Sequence, residues 1–223
     1  MRFITERELR DQFASGVPQQ YETPPGAQLT PAARQYLLDL KLYQHPGARG
    51  RQNVAAAPPG GRKPEHMTHL NAREMVCKTH PRILLRGKLD TLESEILVLQ
   101  CSSRPEWRAP LGDALLLVRA VLAAEVRETP VPAWKLDGMG PEEVHRCSHH
   151  PEDFGFPGHI LPAPEHGLFA AQLHRLRALT RETELAAVQA FWDGQRVQHE
   201  DCVLALNRLS SYFYVLQLRA ARR

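Results

Sequence analysis

One stretch near the C-terminal end carries charged side chains at helical spacing. His174, Arg177, Arg181 and Glu184 follow one another at steps of three, four and three residues, so a helix places all four on one stripe. Two arginines four residues apart repel each other by about 0.2–0.5 kcal/mol, so an anion or Glu184 would stabilise them. Arginine suits phosphate because its planar fork donates paired, charge-assisted hydrogen bonds. The stripe indicates an anion site, and a solvated charged face fits the same spacing.

A second basic set recurs every four residues at the predicted start of another helix, at Lys78, Arg82 and Arg86. Backbone N–H groups and the helix dipole favour anions at such a position, so we interpret this set as a phosphate-binding end. A solvated basic face is the alternative. Asp90 follows Arg86 by one turn and could pair with it in a contact worth about 0–1 kcal/mol.

Histidines concentrate in the segment EEVHRCSHHP, residues 142–151. His145 and His149 lie one helical turn apart, a spacing that can chelate a transition metal. Such a site also needs supporting partners, so lining of a ligand pocket or local packing are the alternatives.

Apolar periodicity predicts the elements that position these residues. The spacing of a helical-bundle seam, alternating four and three, occurs at Leu85, Leu89, Leu92, Ile96 and Leu99. Similar spacing recurs at Leu111, Leu115, Val118 and Leu122, and at Cys202, Leu206, Leu209, Phe213, Leu216 and Ala220. The charged stripe lies on a further predicted helix, residues 165–192. Because no convincing strand-like alternation appears, the sequence predicts an all-α fold, a four- to five-helix bundle with a small N-terminal extension.

Breaker residues divide the chain into a small N-terminal region (residues 1–45), a flexible Pro/Gly/Ala-rich linker (46–64) and the bundle domain (65–223). Thr5 and Thr30 are predicted helix N-caps in the first region, which we expect to be too small to bury much core alone. Its apolar start either packs against the bundle or docks on a protein shell, through Phe3, Ile4, Leu9 and Phe13.

Composition excludes several functional classes. A net charge of +3, without a Lys/Arg run interleaved with aromatics, gives no support for nucleic-acid binding. No apolar run is long enough to span a membrane, and no signal peptide is present, so we expect a cytoplasmic protein. The four cysteines contain no CxxC pair and are expected to be reduced.

The order LHxxRxxxRxxE, followed by a helix that carries NRLS, resembles the paired helices of the ATP:corrinoid adenosyltransferases. Residues 67–94, 142–151 and 159–167 resemble the ethanolamine-utilisation branch of that family, as do FITERELR and LTPAARQYL in the N-terminal region. The likeness covers nearly the whole chain except residues 45–64.

The resemblance implies a helical bundle that transfers the 5'-deoxyadenosyl group of ATP to cob(I)alamin and releases triphosphate. It implies ATP, Mg²⁺ and cobalamin as ligands, with cobalamin as substrate, and ethanolamine ammonia-lyase as recipient of the product. Expected partners are further copies of the chain in a homo-oligomer, taken to be a trimer, and a corrinoid reductase or a microcompartment shell. Buried packing of Tyr212, Phe213 and Tyr214 explains their clustering as well as a subunit interface does.

The resemblance also assigns residues. Arg181 matches the arginine expected to neutralise the leaving triphosphate, Arg177 one that forms a structural ion pair, and Glu184 the acid of the motif. Asn207 matches the nucleotide-site asparagine of NRLS, and an ordinary polar residue at a seam edge is the alternative. The expected ATP- and phosphate-binding set is Lys78, Arg82, Arg86, Asp90, Arg181 and Asn207. The expected corrinoid pocket contains His149, Phe156, His159 and Ile160.

The chain departs from family patterns at three places. KTHPR replaces the glycine-rich TGDxG loop of the propanediol-utilisation branch. No cysteine precedes Cys77, where some members carry a histidine and cysteine cluster, so we expect no dedicated metal site, with His145 and His149 as weak candidates. His159 replaces the apolar residue of FILPGG that excludes the lower axial ligand of the corrinoid. These departures leave a non-catalytic corrinoid or ATP carrier as the main alternative, and a microcompartment interaction protein as a third.

Overall fold

The structure is a computed structural model that describes residues 2–14, 16, 18, 21, 23–24, 26–40, 42 and 63–221. The chain separates into two compact units, Met1–Val54 and Ala55–Arg223. Residues 46–62 of the predicted linker lie outside the described residues.

The N-terminal unit combines two short parallel strands with two helices. Its elements are β1 (Arg2–Ile4), α1 (Glu6–Gln12), β2 (Ala27–Leu29) and α2 (Pro31–Asp39), and β1 pairs with β2. Both predicted N-caps are confirmed. The Thr5 hydroxyl accepts a hydrogen bond from the Glu8 backbone N–H at 3.3 Å, and the Thr30 hydroxyl accepts one from Ala33 at 3.2 Å.

This unit has an apolar core of its own, formed by Ile4, Leu9, Phe13, Ala33, Leu37 and Leu42. The expectation that the region could bury little core alone was therefore wrong, because the strand pair lets both helices bury an apolar face within the unit. Of the four residues at the predicted docking surface, Phe3 is exposed and the other three belong to this core.

The second unit begins with an antiparallel hairpin, β3 (Met67–His69) and β4 (Met75–Cys77). Five helices follow: α3 (Pro81–Ser102), α4 (Pro105–Arg127), α5 (Pro141–His149), α6 (Gly167–Phe191) and α7 (Glu200–Ala221). Two short 3-10 turns, Pro151–Phe154 and Pro164–His166, lie in the connection between α5 and α6. The predicted four- to five-helix bundle is confirmed, with four long helices and the shorter α5.

The predicted seams form the core of this unit. The α3 seam from Leu85 to Leu99 is at most 3% exposed, and Tyr212 and Phe213 of α7 are fully buried. Helix α6 packs against α3 and α7. Helix α4 also packs against α3 and α7, and α5 packs against α7. The structure therefore supports the packing alternative for Tyr212 and Phe213. Among the described helices, none combines the length and apolarity that a membrane span requires.

Candidate functional site

A cavity of about 600 Å³ lies among α5, α6, α7 and the connection that precedes α6. The residues that line it are His145, Ser148, His149, His159, Ile160, Leu161, Pro162, His174, Arg177, Arg181, Asn207, Ser210, Ser211, Tyr214 and Gln217. The structure thus brings together the two arginines and the asparagine of the predicted catalytic set with three of the four residues of the predicted corrinoid pocket. The fourth, Phe156, is partly buried in the same connection and is outside this lining set.

Helix α6 presents the polar stripe to the cavity because its other face is buried. Leu173, Leu176 and Thr180 are at most 2% exposed, and the Thr180 hydroxyl donates to the Leu176 carbonyl at 2.7 Å. That bond satisfies the buried hydroxyl within the helix. His174, Arg177 and Arg181 then line the cavity.

Asn207 is held in one orientation by two charged neighbours. Its Nδ2 donates to Glu184 Oε1 at 2.9 Å, and its Oδ1 accepts from Arg208 Nη1 at 2.7 Å. A carboxylate only accepts and a guanidinium only donates, so these contacts fix which end of the amide faces which neighbour. Glu184 therefore contacts the predicted site through Asn207. Sequence reasoning missed Arg208, although it is the second residue of NRLS.

Tyr214 ties α7 to the connection before α6. Its hydroxyl oxygen accepts from the Ile160 backbone N–H at 3.1 Å and lies 3.0 Å from His159 Nδ1. His159 Nε2 lies 3.2 Å from the His149 carbonyl, which can only accept, so Nε2 carries the proton. In the neutral ring, Nδ1 then accepts from the Tyr214 hydroxyl. Both ring nitrogens of His159 are engaged, and its side chain forms part of the cavity wall.

Arg177 and Arg181 have different surroundings within the same stripe. The Arg177 guanidinium lies 5.5 Å from the centroid of the Tyr214 ring, within cation–π range. Arg181 is exposed and forms no ion pair within the part of the chain that the structure describes. The nearby Arg175, on the same helix, is instead paired with Glu95 at 2.7 Å. Arg177 likewise has no ion pair among the described residues, so the ion pair expected for it is not formed there, and both cavity-lining arginines can receive an anionic ligand.

The rings of the two histidines of α5 are in contact, with centroids 4.1 Å apart and planes tilted by 43°. His149 Nδ1 lies 3.0 Å from the His145 carbonyl, so this nitrogen donates and is not available to a metal. Burial lowers the pKa of His145, and the positive charge of Arg208 lowers it further. Within the described residues there is no group of three His, Cys, Asp or Glu side chains that could hold a metal ion. The weak metal candidates thus have no third ligand there.

The predicted phosphate-binding end lies apart from the residues that line this cavity. Glu125 of α4 is 0% exposed, and its carboxylate accepts from Arg82 Nε and Arg86 Nε, each at 2.6 Å. Arg82 also donates to Glu128 at 2.8 Å. The ion pair of Arg86 is with Glu125 rather than with Asp90. Lys78 and Asp90 are exposed, in the turn before α3 and on α3 respectively.

Residues 61–220 match the family model for cobalamin adenosyltransferase. The corrinoid adenosyltransferase EutT of Salmonella typhimurium is 31% identical over 97% of this chain and 91% of its own length. The protein of the same name from Escherichia coli is 30% identical over the same shares.

Solved structures with the same fold include PduO-type ATP:corrinoid adenosyltransferases from Lactobacillus reuteri. A phenylalanine-to-histidine variant complexed with cobalamin and ATP has a TM-score of 0.56 and 21% identity, over 71% of this chain and 87% of that chain. An arginine-to-lysine variant complexed with ATP has a TM-score of 0.55 and 22% identity, over 71% and 90%. At these identities the likeness shows the fold, and it agrees with the predicted bundle.

Proposed function

The chain belongs to the cobalamin adenosyltransferase family and is a transferase enzyme of that class, and from this we propose that it moves the 5'-deoxyadenosyl group of ATP to cob(I)alamin and releases triphosphate. The observation that carries the proposal is the shared cavity. Arg181 and Asn207, which suit the nucleotide, line the same cavity as His149, His159 and Ile160, which suit the corrinoid.

In the proposed reaction, cob(I)alamin attacks the C5' carbon of ATP. The cobalt–carbon bond forms with the electron pair of cobalt, and the C5'–oxygen bond breaks with its electron pair leaving on triphosphate. The protein needs no covalent nucleophile. Its work is to align the reacting atoms and to neutralise the charge of the leaving group, which are positioning and electrostatic effects.

Arg181 is the residue we assign to the leaving triphosphate. Its guanidinium lines the cavity and has no competing carboxylate within the described residues, so an anion need not displace an existing partner. Arg82 and Arg86, in contrast, would each have to exchange Glu125 for phosphate. Lys78 is exposed and forms no ion pair among the described residues. The phosphate-binding roles of Lys78 and Asp90 remain predictions.

Asn207 is the second nucleotide contact in the proposal. Glu184 and Arg208 fix its amide, and a preset amide lowers the cost of orienting it when the nucleotide binds. Arg177 lies over the Tyr214 ring, and both residues line the cavity.

Mg²⁺ is included because a divalent ion normally screens a triphosphate. No carboxylate is among the described residues that line the cavity, so the chain itself does not offer a magnesium cage there. We expect phosphate and water oxygens to bind the ion.

On the resemblance to the ethanolamine-utilisation branch, we further propose that the product supplies ethanolamine ammonia-lyase. A homo-oligomer, with a trimer as the first candidate, and a corrinoid reductase or microcompartment shell as partners, belong to the same proposal.

The test is an anaerobic assay with ATP, Mg²⁺ and chemically reduced cob(I)alamin, comparing Arg181→Ala with Arg175→Ala. Both arginines are exposed on α6, but Arg175 pairs with Glu95 and is not part of the cavity lining. Loss of one donor that stabilises developing charge costs roughly 100-fold or more in kcat, so we expect that loss for Arg181→Ala only. Equal rates for the two variants would contradict the assignment, and ligand binding without wild-type turnover would favour the carrier.

A further inference from the structure

Buried polar atoms without partners concentrate around the cavity. Within the described residues, the buried side-chain atoms with no hydrogen-bond partner are His145 Nδ1, His174 Nδ1, Arg208 Nε and Gln217 Oε1. The two histidines and Gln217 all line the cavity. A buried polar group left without a hydrogen bond is destabilising, so three around one cavity indicate a partner that binds in the cavity.

Gln217 gives the clearest indication of that partner's chemistry. It is 1% exposed, lies one turn beyond Tyr214 on α7, and makes no side-chain hydrogen bond within the described residues. An amide offers two donors and an acceptor in one plane, and another primary carboxamide complements it because it offers the same set in reverse. The imidazole of His174, on α6, can donate or accept according to its tautomer, so it can serve either end of such a group.

Gln217 offers the cavity a different chemistry from that of the two arginines. Arg177 and Arg181 are cationic and suit phosphate oxygens, whereas Gln217 is neutral and its free oxygen accepts a hydrogen bond. A neutral group with both donors and acceptors is therefore the expected occupant at Gln217.

We propose that Gln217, with His174 on the neighbouring helix, forms a subsite that binds a primary carboxamide of the corrinoid. The inference rests on the proposed function, and it deepens it: the rim of a corrin ring carries primary carboxamides, whereas ATP carries none. The subsite would select corrinoids by their amide side chains and would contribute nothing to ATP affinity.

The test compares Gln217→Met with Gln189→Met for binding of two cobalt corrinoids, one with its carboxamides intact and one in which methyl esters replace them. Methionine keeps the length of glutamine and removes its hydrogen bonds, and Gln189 is exposed on α6, outside the cavity lining. We expect Gln217→Met to bind the amide corrinoid about 10-fold more weakly, to bind the ester within about 2-fold of wild type, and to leave ATP affinity unchanged. Gln189→Met should match wild type throughout.

Equal weakening for both corrinoids would assign Gln217 to packing, and wild-type affinity for both would leave it without a ligand contact; either result overturns the subsite. If Gln217→Met fails to fold, His174→Phe tests the same subsite and should show the same preference for loss of amide binding. If the wild type turns over cob(I)alamin but Gln217→Met does not distinguish the amide corrinoid from the ester, this inference alone is overturned. A wild type that binds neither corrinoid nor ATP overturns the proposed function with it.

Discussion

Replacement of Glu125 by glutamine is the most direct test of what holds Arg82 and Arg86. The wild-type carboxylate is fully buried and accepts from Arg82 Nε and Arg86 Nε at 2.6 Å, with a third bond from Arg86 Nη2 at 3.2 Å. Glutamine has nearly the same shape, so the change removes the charge and turns one acceptor into a donor that faces a guanidinium. Glu125→Gln therefore leaves the ion pair without its central anion.

The loss should be uneven between the two arginines. Arg82 keeps Glu128 at 2.8 Å, whereas the other bond of Arg86 is to the Leu70 carbonyl at 2.8 Å. Removing one member of a buried ion pair costs about 3–5 kcal/mol, and because glutamine retains one acceptor we expect about 3 kcal/mol. Glu128→Gln is the matched control: its side chain is 52% exposed, so its loss should cost about 0–1 kcal/mol.

Urea unfolding followed by tryptophan fluorescence measures both variants. Trp107, Trp134 and Trp192 are the three tryptophans of the chain, and all lie in the second unit, so the signal reports the bundle. Unchanged m-values would license a direct comparison of midpoints. A Glu125→Gln protein within 1 kcal/mol of the wild-type free energy of unfolding, or equal to Glu128→Gln, would refute the structural role of Glu125.

The remaining predictions concern a turn, two thiols and the amide of the site. Backbone N–H groups of the turn between α6 and α7 lower the pKa of Asp193 to about 2. The stabilising contribution of this carboxylate is therefore present above its unfolded-state pKa and is lost as pH falls through about 2. A carboxyl NMR titration of Asp193 with a normal midpoint would contradict this. Burial raises the pKa of Cys202 to about 12, so iodoacetamide at pH 8 should alkylate exposed Cys101 and leave Cys202 unmodified. Equal labelling of the two cysteines in a peptide map would contradict the burial of Cys202. Arg208→Met should lower kcat/KM about 10-fold in the wild type and less than about 2-fold in Asn207→Ala, because Arg208 acts through Asn207; additive losses would exclude that coupling.

The helices of the bundle could be predicted because each buries an apolar stripe that is visible in its own sequence. The α3 seam from Leu85 to Leu99 is an example, and its predicted face is the buried one. The strands could not be predicted in the same way. Each has three residues, too few to display alternation, and β1 pairs with a strand that follows an intervening helix. The N-terminal core depends on that pairing, which explains why its formation was missed.

The candidate site was predictable to the extent that its residues share one helix. Spacing alone predicts that His174, Arg177 and Arg181 share one face of α6, and all three line the cavity. The ion pair of Arg86 was not predictable, because its carboxylate partner, Glu125, lies 39 residues away on another helix. A basic cluster in a sequence does not reveal a buried glutamate that neutralises it. Gln217 was missed for a related reason: its lack of a partner is a property of the packed bundle.

The measurement that tests the central proposal most directly is the product balance of the wild-type protein with ATP and cob(I)alamin under anaerobic conditions. We expect a photolabile adenosylcobalamin and triphosphate in equal amounts, because transfer to cobalt breaks the C5'–oxygen bond and leaves the three phosphates joined. ATP or corrinoid binding without either product would contradict the transferase and identify a carrier, and release of ADP or diphosphate would contradict attack at C5'.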